Sequence, residues 1–321
     1  MKTIPLLAAA ALAIAPAIPA AAKFPEKPIR MVVGFTPAGA TDILARVVAA
    51  KVGEMQKWEI VVDNKPGAAG NVGAEIVAKA PADGHTWLLT QVATHGIVPS
   101  LYKKLPFDAV KDFAGITQLV GVPNVLSACK GFPAETVADV IRIAKEKPGT
   151  VSFASSGNGT SLHMSGHLFK VLAGVDILHV PYRGAGPALN DCLAGNVSLI
   201  VNNFPETVAH VQAGTLKPLA VTTVNRAPQY PNVPTMREAG VAGYDVSAWF
   251  GIVVPAKTPR DVVETIHAAV VKALAEPDVR ARLLDLGGVV VASKPEEFET
   301  FYKGEIARWK PVVETSGAQI E

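Results

Sequence analysis

The chain has 321 residues, a formal net charge of +2, 49% hydrophobic residues and only two cysteines. This length predicts two folding units of ~150 residues each. The near-neutral charge argues against a nucleic-acid-binding surface, and two cysteines are too few for a disulfide scaffold. The hydrophobic content is enough for a folded core, which excludes a disordered or collagen-like chain.

The N-terminus has the pattern of a cleavable export signal. Lys2 provides the positive start, residues 6–18 are an Ala-rich apolar stretch, and residues 20–22 are three alanines that suit a signal peptidase. A membrane anchor is the alternative, but three prolines interrupt the segment, which argues against it. We therefore predict a signal peptide over residues 1–22 and a periplasmic mature protein.

After this leader, apolar strands alternate with amphipathic helices. The predicted strands cover residues 29–35, 61–62, 85–90, 115–120, 124–128, 151–155, 177–180, 197–201, 217–222 and 246–254. The predicted helices cover residues 43–52, 71–79, 136–147, a stretch from 161, 187–194, 259–275, 279–286 and 295–313. Repeated strand-helix units predict an α/β fold of mostly parallel sheets with helices on both faces.

Two apolar runs marked by Gly or Pro lack a helical period and indicate where the chain crosses between lobes. They are residues 121–124 and 246–254. We therefore predict a discontinuous first lobe, residues 23–122 plus 250–321, and an inserted second lobe, residues 123–249. Composition by itself leaves two sequential domains open as an alternative.

Three strand-to-helix joints are rich in small residues. They run from Phe35 to Asp42, from Ser155 to Ser161, and over residues 181–188. In parallel sheets such joints lie at the carboxyl ends of strands, where backbone N–H groups and helix N-termini attract anions. A small carboxylate is the expected ligand, although any single joint could be ordinary loop sequence.

Nucleotide-binding and catalytic motifs are incomplete. Ala40 stands where a phosphate-binding loop needs lysine, and neither Gly157-x-Gly159 nor Gly184-x-Gly186 is followed by the third glycine of a dinucleotide site. His163 and His167 could form half of a metal site, but no third ligand is visible, and packed neutral histidines are favoured. We predict no cofactor, no metal and no catalytic residue.

Several polar residues in or near the joints have two interpretations. Asp42 fits a carboxylate that complements a helix dipole. Arg183 could be a carboxylate clamp or a solvated cation, and Asn202 could contact a polar ligand or form a turn.

Cys129 and Cys192 could pair in an oxidising compartment. Cys129 ends an apolar run, whereas Cys192 lies in a helical pattern. Two such positions rarely meet disulfide geometry by chance, so buried free thiols are favoured.

Long stretches of the chain resemble one known family. They include FPEKPIRMVVGFTPAGATDILARVVA at residues 24–49 and SSGNGTSLHMSGHLFKVLAGVDILHVPYRGAGPALNDCLAGNVSLIV at residues 155–201. These segments are similar to the Bug-type substrate-binding proteins of tripartite tricarboxylate transport systems. The resemblance covers essentially the whole mature chain.

This resemblance implies a two-lobe periplasmic binding-protein fold of the Venus-flytrap kind. It implies that a small carboxylate is caught between the lobes and delivered to membrane subunits of a tripartite tricarboxylate-type transporter. We also expect the receptor to be a monomer. With the joints above, the resemblance gives the following candidate ligand-binding residues: Phe35, Ala38, Gly39, Ala40, Thr41, Asp42, Ser155, Gly159, Thr160, Ser161, His163, Tyr182, Arg183, Gly184 and Asn202.

The chain departs from the family pattern at three positions. Ala38 stands where the first joint usually carries a glycine, Val98 replaces a frequent asparagine, and Asn202 falls where many members have aspartate. The last change favours an uncharged or anionic ligand over a cationic one. A di- or tricarboxylate and an aromatic carboxylate both remain possible, as do two other functions: a ligand sensor that signals to a membrane kinase, and an exported enzyme.

Overall fold

The computed structural model describes residues 24–316, so the predicted signal peptide lies outside the described residues. The strands in the described range are β1 (Ile29–Val33), β2 (Ile60–Asn64), β3 (Thr86–Gln91), β4 (Phe113–Ala128), β5 (Ser152–Ser155), β6 (Leu178–Pro181), β7 (Leu199–Asn203), β8 (Lys217–Val221), β9 (Ser247–Pro255) and β10 (Val289–Val290).

The helices in the same range are α1 (Ala40–Gln56), α2 (Asn71–Ala78), α3 (Val98–Leu101), α4 (Val137–Glu146), α5 (Ser161–Ala173), α6 (Ala185–Ala194), α7 (Phe204–Gln212), α8 (Arg260–Ala275), α9 (Pro277–Asp285) and α10 (Pro295–Ser316). A 3-10 turn, Ala68–Gly70, precedes α2, and a π-helical turn, Ala93–Ile97, precedes α3. The sequence did not predict α3, α7 or β10.

The strands form one continuous sheet in the order β2-β1-β3-β9-β4-β7-β5-β6, with β8 and β10 paired to β4. β1 is parallel to β2 and β3, and β5 is parallel to β6 and β7. Every antiparallel pair among the described strands involves β4 or β9. The strands that precede the three small-residue joints are therefore the parallel ones, as predicted.

β4 is shared by both halves of the sheet. Residues 113–123 pair with β9, and residues 124–128 pair with β7 and, from residue 125, with β8. Lobe 1 denotes here the part around β1, β2 and β3, and lobe 2 the part around β5 to β8. This pairing fits the two-lobe α/β class, and the lobe boundaries at 122/123 and 249/250 stay a prediction.

β4 corrects the prediction of two separate strands at 115–120 and 124–128. Gly121 and Pro123 fall between the two predicted strands, yet β4 continues through both. Proline lacks an N–H donor and is tolerated in a sheet only where no ladder bond is required of it. Pro123 is the last residue to pair with β9, and Asn124 is the first to pair with β7, so the proline lies where the partner strand changes.

The C-terminal helix α10 is fixed to lobe 1 by a buried glutamate. Glu305 is 4% exposed and accepts hydrogen bonds from Nε1 of Trp249 at 2.9 Å and of Trp309 at 3.1 Å. Arg308 pairs with the same carboxylate at 3.0 Å. Because a buried charge needs such partners, this cluster ties the end of the chain to β9, one of the two strands at the lobe crossing.

Cys129 and Cys192 form a disulfide, which corrects the expectation of free thiols. Cys129 follows β4 and donates its N–H to the carbonyl of Ser198, while Lys130 donates to the carbonyl of Cys192. These backbone bonds hold the end of β4 beside α6 and bring the two Cα atoms to 4.8 Å. The pairing depends on tertiary contacts between segments 63 residues apart, and no local sequence pattern reports them.

Within residues 24–316, no helix is both long and apolar enough to span a bilayer.

Removing the disulfide should destabilise the protein without unfolding it. A cross-link that closes a 63-residue loop restricts the unfolded chain, which by the loop-entropy account stabilises the fold by about 4 kcal/mol. We expect the variant Cys129→Ala/Cys192→Ala to lose about 2–4 kcal/mol in urea unfolding. Adding a reductant should bring the wild type to the same midpoint and leave the variant unchanged. An equal midpoint for both oxidised proteins would contradict the assignment.

Candidate ligand-binding site

A cavity of about 520 Å³ lies where loops of the two lobes face each other. Four stretches contribute to its wall, and each follows a parallel strand: residues 34–36 after β1, 66–70 after β2, 156–158 together with 160 after β5, and 182–184 after β6. β1 and β2 run in the direction of β4, which leads from lobe 1 into lobe 2, whereas β5 and β6 run in the opposite direction. The carboxyl ends of the two strand pairs therefore face each other across the lobe junction, which explains why these loops meet.

The first joint is held in shape by Asp42, in the first turn of α1. Asp42 is 3% exposed, and its carboxylate accepts hydrogen bonds from Ala38 N, Arg46 Nε and Asn64 Nδ2, each at 3.0 Å. Burial by itself would raise the pKa of the Asp42 carboxyl, but these hydrogen bonds hold it below its ordinary value. Asp42 thus stabilises the loop from behind, and Ala38 adopts a left-handed conformation with φ of 64°.

The N-terminus of α1 carries a carboxylate supplied by lobe 2. Glu206, in the first turn of α7, accepts the Ala40 N–H through Oε1 at 2.9 Å and the Asn203 N–H through Oε2 at 3.3 Å. Gly39 N also donates within the loop, to the carbonyl of Thr36. The N–H groups of Gly39 and Ala40, which the sequence predicted as ligand contacts, therefore bond to the protein itself.

Glu206 was not predicted as a site residue, although the sequence contains a pattern that could have identified it. The stretch Asn203-Phe204-Pro205-Glu206 has a capping residue followed three positions later by glutamate, with Pro near the helix start. This pattern is typical of a helix N-terminus and would have predicted α7. Burial raises the pKa of Glu206 to about 7, and the two backbone N–H donors only partly oppose this effect.

The loop at residues 66–70 was not among the predicted site residues, yet it forms one side of the cavity. Thr94 Oγ1 donates to the carbonyl of Ala69 at 3.2 Å. Gly70 has φ of 96°, and a Cβ atom there would collide with Thr94 Oγ1 and touch the ring of Phe35. The position of this loop after β2, beside β1, is the signal that could have identified it.

The second joint forms a tight loop of internal hydrogen bonds before α5. Gly157 N donates to Ser155 Oγ at 3.2 Å, and Thr160 Oγ1 accepts the N–H of His163 at 3.3 Å, which caps the helix. Gly159 N donates to His163 Nδ1 at 3.3 Å. This leaves Thr160 and the stretch 156–158 as the part of the joint that faces the cavity.

Two stacked histidines support the second joint from inside lobe 2. The rings of His163 and His179 are 3.9 Å apart at their centroids, and His179 Nε2 hydrogen-bonds Ser155 Oγ at 2.6 Å. Burial lowers the pKa of His163 to about 3 and that of His179 to about 4, so both imidazoles are neutral. Among residues 24–316, no group of three or more His, Cys, Asp or Glu side chains is placed to bind a metal ion.

The third joint brings the lobes into contact. Tyr182 OH donates to Asp191 at 2.6 Å, and burial together with this bond raises the pKa of Tyr182 to about 12. Arg183 is exposed and lies in the cavity wall. Gly184 has φ of 120°, and a Cβ there would lie 2.7 Å from Oγ1 of Thr36 in lobe 1. A side chain at residue 184 would therefore hold the lobes apart.

The structure brings the three predicted joints together around one cavity. Among the predicted residues, the wall contains Phe35, Thr160, Tyr182, Arg183 and Gly184. The following lie in the same joints but outside that wall: Ala38, Gly39, Ala40, Thr41, Asp42, Ser155, Gly159 and Ser161. His163 lies in α5, also outside the wall. Asn202 is fully buried at the end of β7, and neither polar atom of its amide has a hydrogen-bond partner among the described residues. Ligand contact by these residues stays a prediction.

Comparison with solved structures shows the same architecture in proteins with bound carboxylates. A structure described as R. palustris Rpa4515 with adipate superposes with a TM-score of 0.89 at 36% identity, covering 92% of this chain and 98% of the other. MatC (Rpa3494) from Rhodopseudomonas palustris with bound malate superposes with a TM-score of 0.85 at 34% identity, covering 90% and 100%. Both likenesses extend over the two lobes.

Sequence comparison leads to the same group. Protein BugT of Bordetella pertussis is 32% identical over 299 residues, which cover 93% of this chain and 92% of BugT. The family model described as tripartite tricarboxylate transporter family receptor matches residues 44–318. The resemblance inferred from the sequence is thus confirmed, and the chain belongs to the Bug-type receptors of the tripartite tricarboxylate transporter family.

Proposed function

We propose that this protein is an extracytoplasmic receptor that binds a small carboxylate between its lobes and delivers it to a tripartite tricarboxylate-type membrane transporter. The charge of the cavity wall carries the proposal. Among the described residues that line the cavity, Arg183 is the only one with an ordinarily charged side chain, and none is acidic. A wall of this kind attracts an anion and offers a cation or an amino group no counter-charge.

Two helix N-termini add to the positive character of the wall. α5 begins at the last residue of the second joint and is capped by Thr160, whereas α6 begins within the third joint, where Gly184 provides no side-chain cap. Uncapped N–H groups and the helix dipole both favour a negative group. A carboxylate that lies against Arg183 and the start of α6 would meet charge-assisted hydrogen-bond donors on two sides.

The opposite side of the cavity is apolar. Phe35, Pro66, Ala68 and Ala69 contribute to it, and a volume of about 520 Å³ suits a ligand of metabolite size. An aliphatic chain or an aromatic ring would be desolvated there. This wall is compatible with di- and tricarboxylates and with aromatic carboxylates.

Lobe closure completes the site in this proposal. Gly184 in lobe 2 meets Thr36 in lobe 1, and Gly159 in lobe 2 meets Leu101 in lobe 1. A ligand that contacts both lobes stabilises this closed arrangement, and the exclusion of water strengthens its hydrogen bonds. We propose no catalytic step and no cofactor. Export through a signal peptide at residues 1–22, a lobe division at 122/123 and 249/250 and a monomeric receptor are parts of the same proposal.

A thermal-shift panel tests the proposal directly. Purified protein would be melted with adipate, malate, citrate, benzoate and, as a cationic control, putrescine. A ligand that binds only the folded protein raises Tm, by mass action, in proportion to the logarithm of its concentration. We expect at least one carboxylate to raise Tm and putrescine to have no effect. Stabilisation by the amine alone would contradict a carboxylate site.

Gly159→Ala should block closure. Gly159 has φ of 76°, and a Cβ there would collide with Leu101 across the lobe junction. We expect the variant to lose at least about tenfold in carboxylate affinity by isothermal titration calorimetry, because more than ~1.4 kcal/mol of closure energy is lost. Gly174→Ala is the matched control, since Gly174 at the other end of α5 has φ of 60° but open space around it. Equal affinity loss in both variants would assign the effect to backbone strain.

Arg183→Gln should weaken carboxylate binding and make the affinity less sensitive to salt. Arg183 is exposed, so solvent screens its charge, and we expect a loss of about three- to tenfold at low ionic strength that shrinks as salt is added. Arg142→Gln serves as the control, because Arg142 lies on the exposed surface of α4 and pairs with Glu146. Unchanged affinity in Arg183→Gln, measured in the same titrations, would exclude Arg183 as a ligand contact.

A further inference from the structure

The contact between Glu206 and α1 is a direct hydrogen bond between the lobes. Glu206 belongs to α7, which follows β7 in lobe 2, whereas Ala40 begins α1 in lobe 1, 166 residues earlier in the sequence. The Glu206 carboxyl group accepts at 2.9 Å a backbone N–H that has no partner within its own helix. Opening the lobes would separate the two groups and return both to water.

We propose that Glu206 is a pH-sensitive latch that holds the lobes closed, and that protonation of its carboxyl group strengthens the latch. In the closed form this group bridges two helix starts, because it accepts N–H donors from α1 and from Asn203 at the start of α7. Any effect of this latch on ligand affinity rests on the function proposed above, whereas its effect on lobe closure does not.

The direction of the effect follows from the cost of burying the charge. Burial raises the pKa of Glu206 from 4.5 to about 7 in the closed form, even with two N–H donors in place. In the open form the group faces water and returns toward its ordinary pKa. The stabilisation of the closed form by protonated Glu206 is therefore complete below the open-form pKa. It is lost as the pH rises through the closed-form pKa.

The ionisable groups near the latch, other than His210, do not account for such a change. On α1, Asp42 has a lowered pKa and is paired with Arg46, so both stay charged through neutral pH. β4 and β7, which pack against α7, contain no ionisable side chain. The remaining groups are His210, one turn further along α7, and Tyr230, whose raised pKa keeps it neutral. His210 therefore requires its own control.

The experiment measures lobe closure without any added ligand. Spin labels would be attached at Val61→Cys in lobe 1 and Val171→Cys in lobe 2, both exposed positions, and the distance distribution recorded by pulsed EPR at pH 5.5 and pH 8.5. We expect the ratio of closed to open molecules to rise at least about tenfold at the lower pH. Glu206→Gln, which mimics the neutral carboxyl group, should stay closed at both pH values.

Three further variants test whether the pH response belongs to Glu206 itself. Glu206→Ala lacks any acceptor for Ala40 and should open at both pH values. His210→Asn and Glu146→Gln, the second on the exposed face of α4, should retain the full response of the wild type. A pH response that survives in Glu206→Gln, or its absence in the wild type, would overturn the proposal. Because no ligand is present, either outcome leaves the carboxylate proposal to be decided by the thermal-shift panel.

Discussion

The pairing of β4 with β9 determines how the two lobes can meet. β4 pairs with β9 as far as Pro123 and then continues, without a break, beside β7 and β8. Both lobes are therefore built on a single strand, and the parallel strands on either side of it are placed relative to that common element. The loops that follow β1, β2, β5 and β6 then converge on one cavity. Sequential domains joined by a free linker would impose no such convergence.

Close approach of the lobes explains why small residues are concentrated at the joints. Gly159 and Gly184 each face a lobe 1 side chain at a distance that leaves no room for a Cβ atom, and Gly70 does the same toward Thr94 inside lobe 1. Positive φ angles at all three positions add a backbone requirement for glycine. The small residues that the sequence suggested for ligand contact thus also serve a packing role, because they allow the cavity walls to close.

The alternating strands and helices could be predicted because burial in a parallel sheet leaves a local apolar signature. The cavity joints were located for the same reason. The disulfide could not be found in this way, since the proximity of Cys129 to Cys192 depends on how α6 packs beside the end of β4. The roles of Gly39 and Ala40 could not be predicted either, because the residue that bonds to Ala40 comes from the other lobe. Only α7 had a readable capping pattern that was overlooked.

The electrostatics of the cavity are local, which is why a net charge of +2 neither suggested nor excluded an anion. At the N-terminus of α1 the protein supplies its own carboxylate, Glu206, and the attraction that this helix end could offer to a ligand is already used. The remaining positive features are Arg183 and the uncapped start of α6, both in lobe 2. The proposed ligand therefore directs its carboxylate toward lobe 2 and its apolar body toward Phe35 and the 66–70 loop of lobe 1. An orientation of this kind makes each lobe recognise a different part of the ligand, so that only a molecule with both parts favours closure.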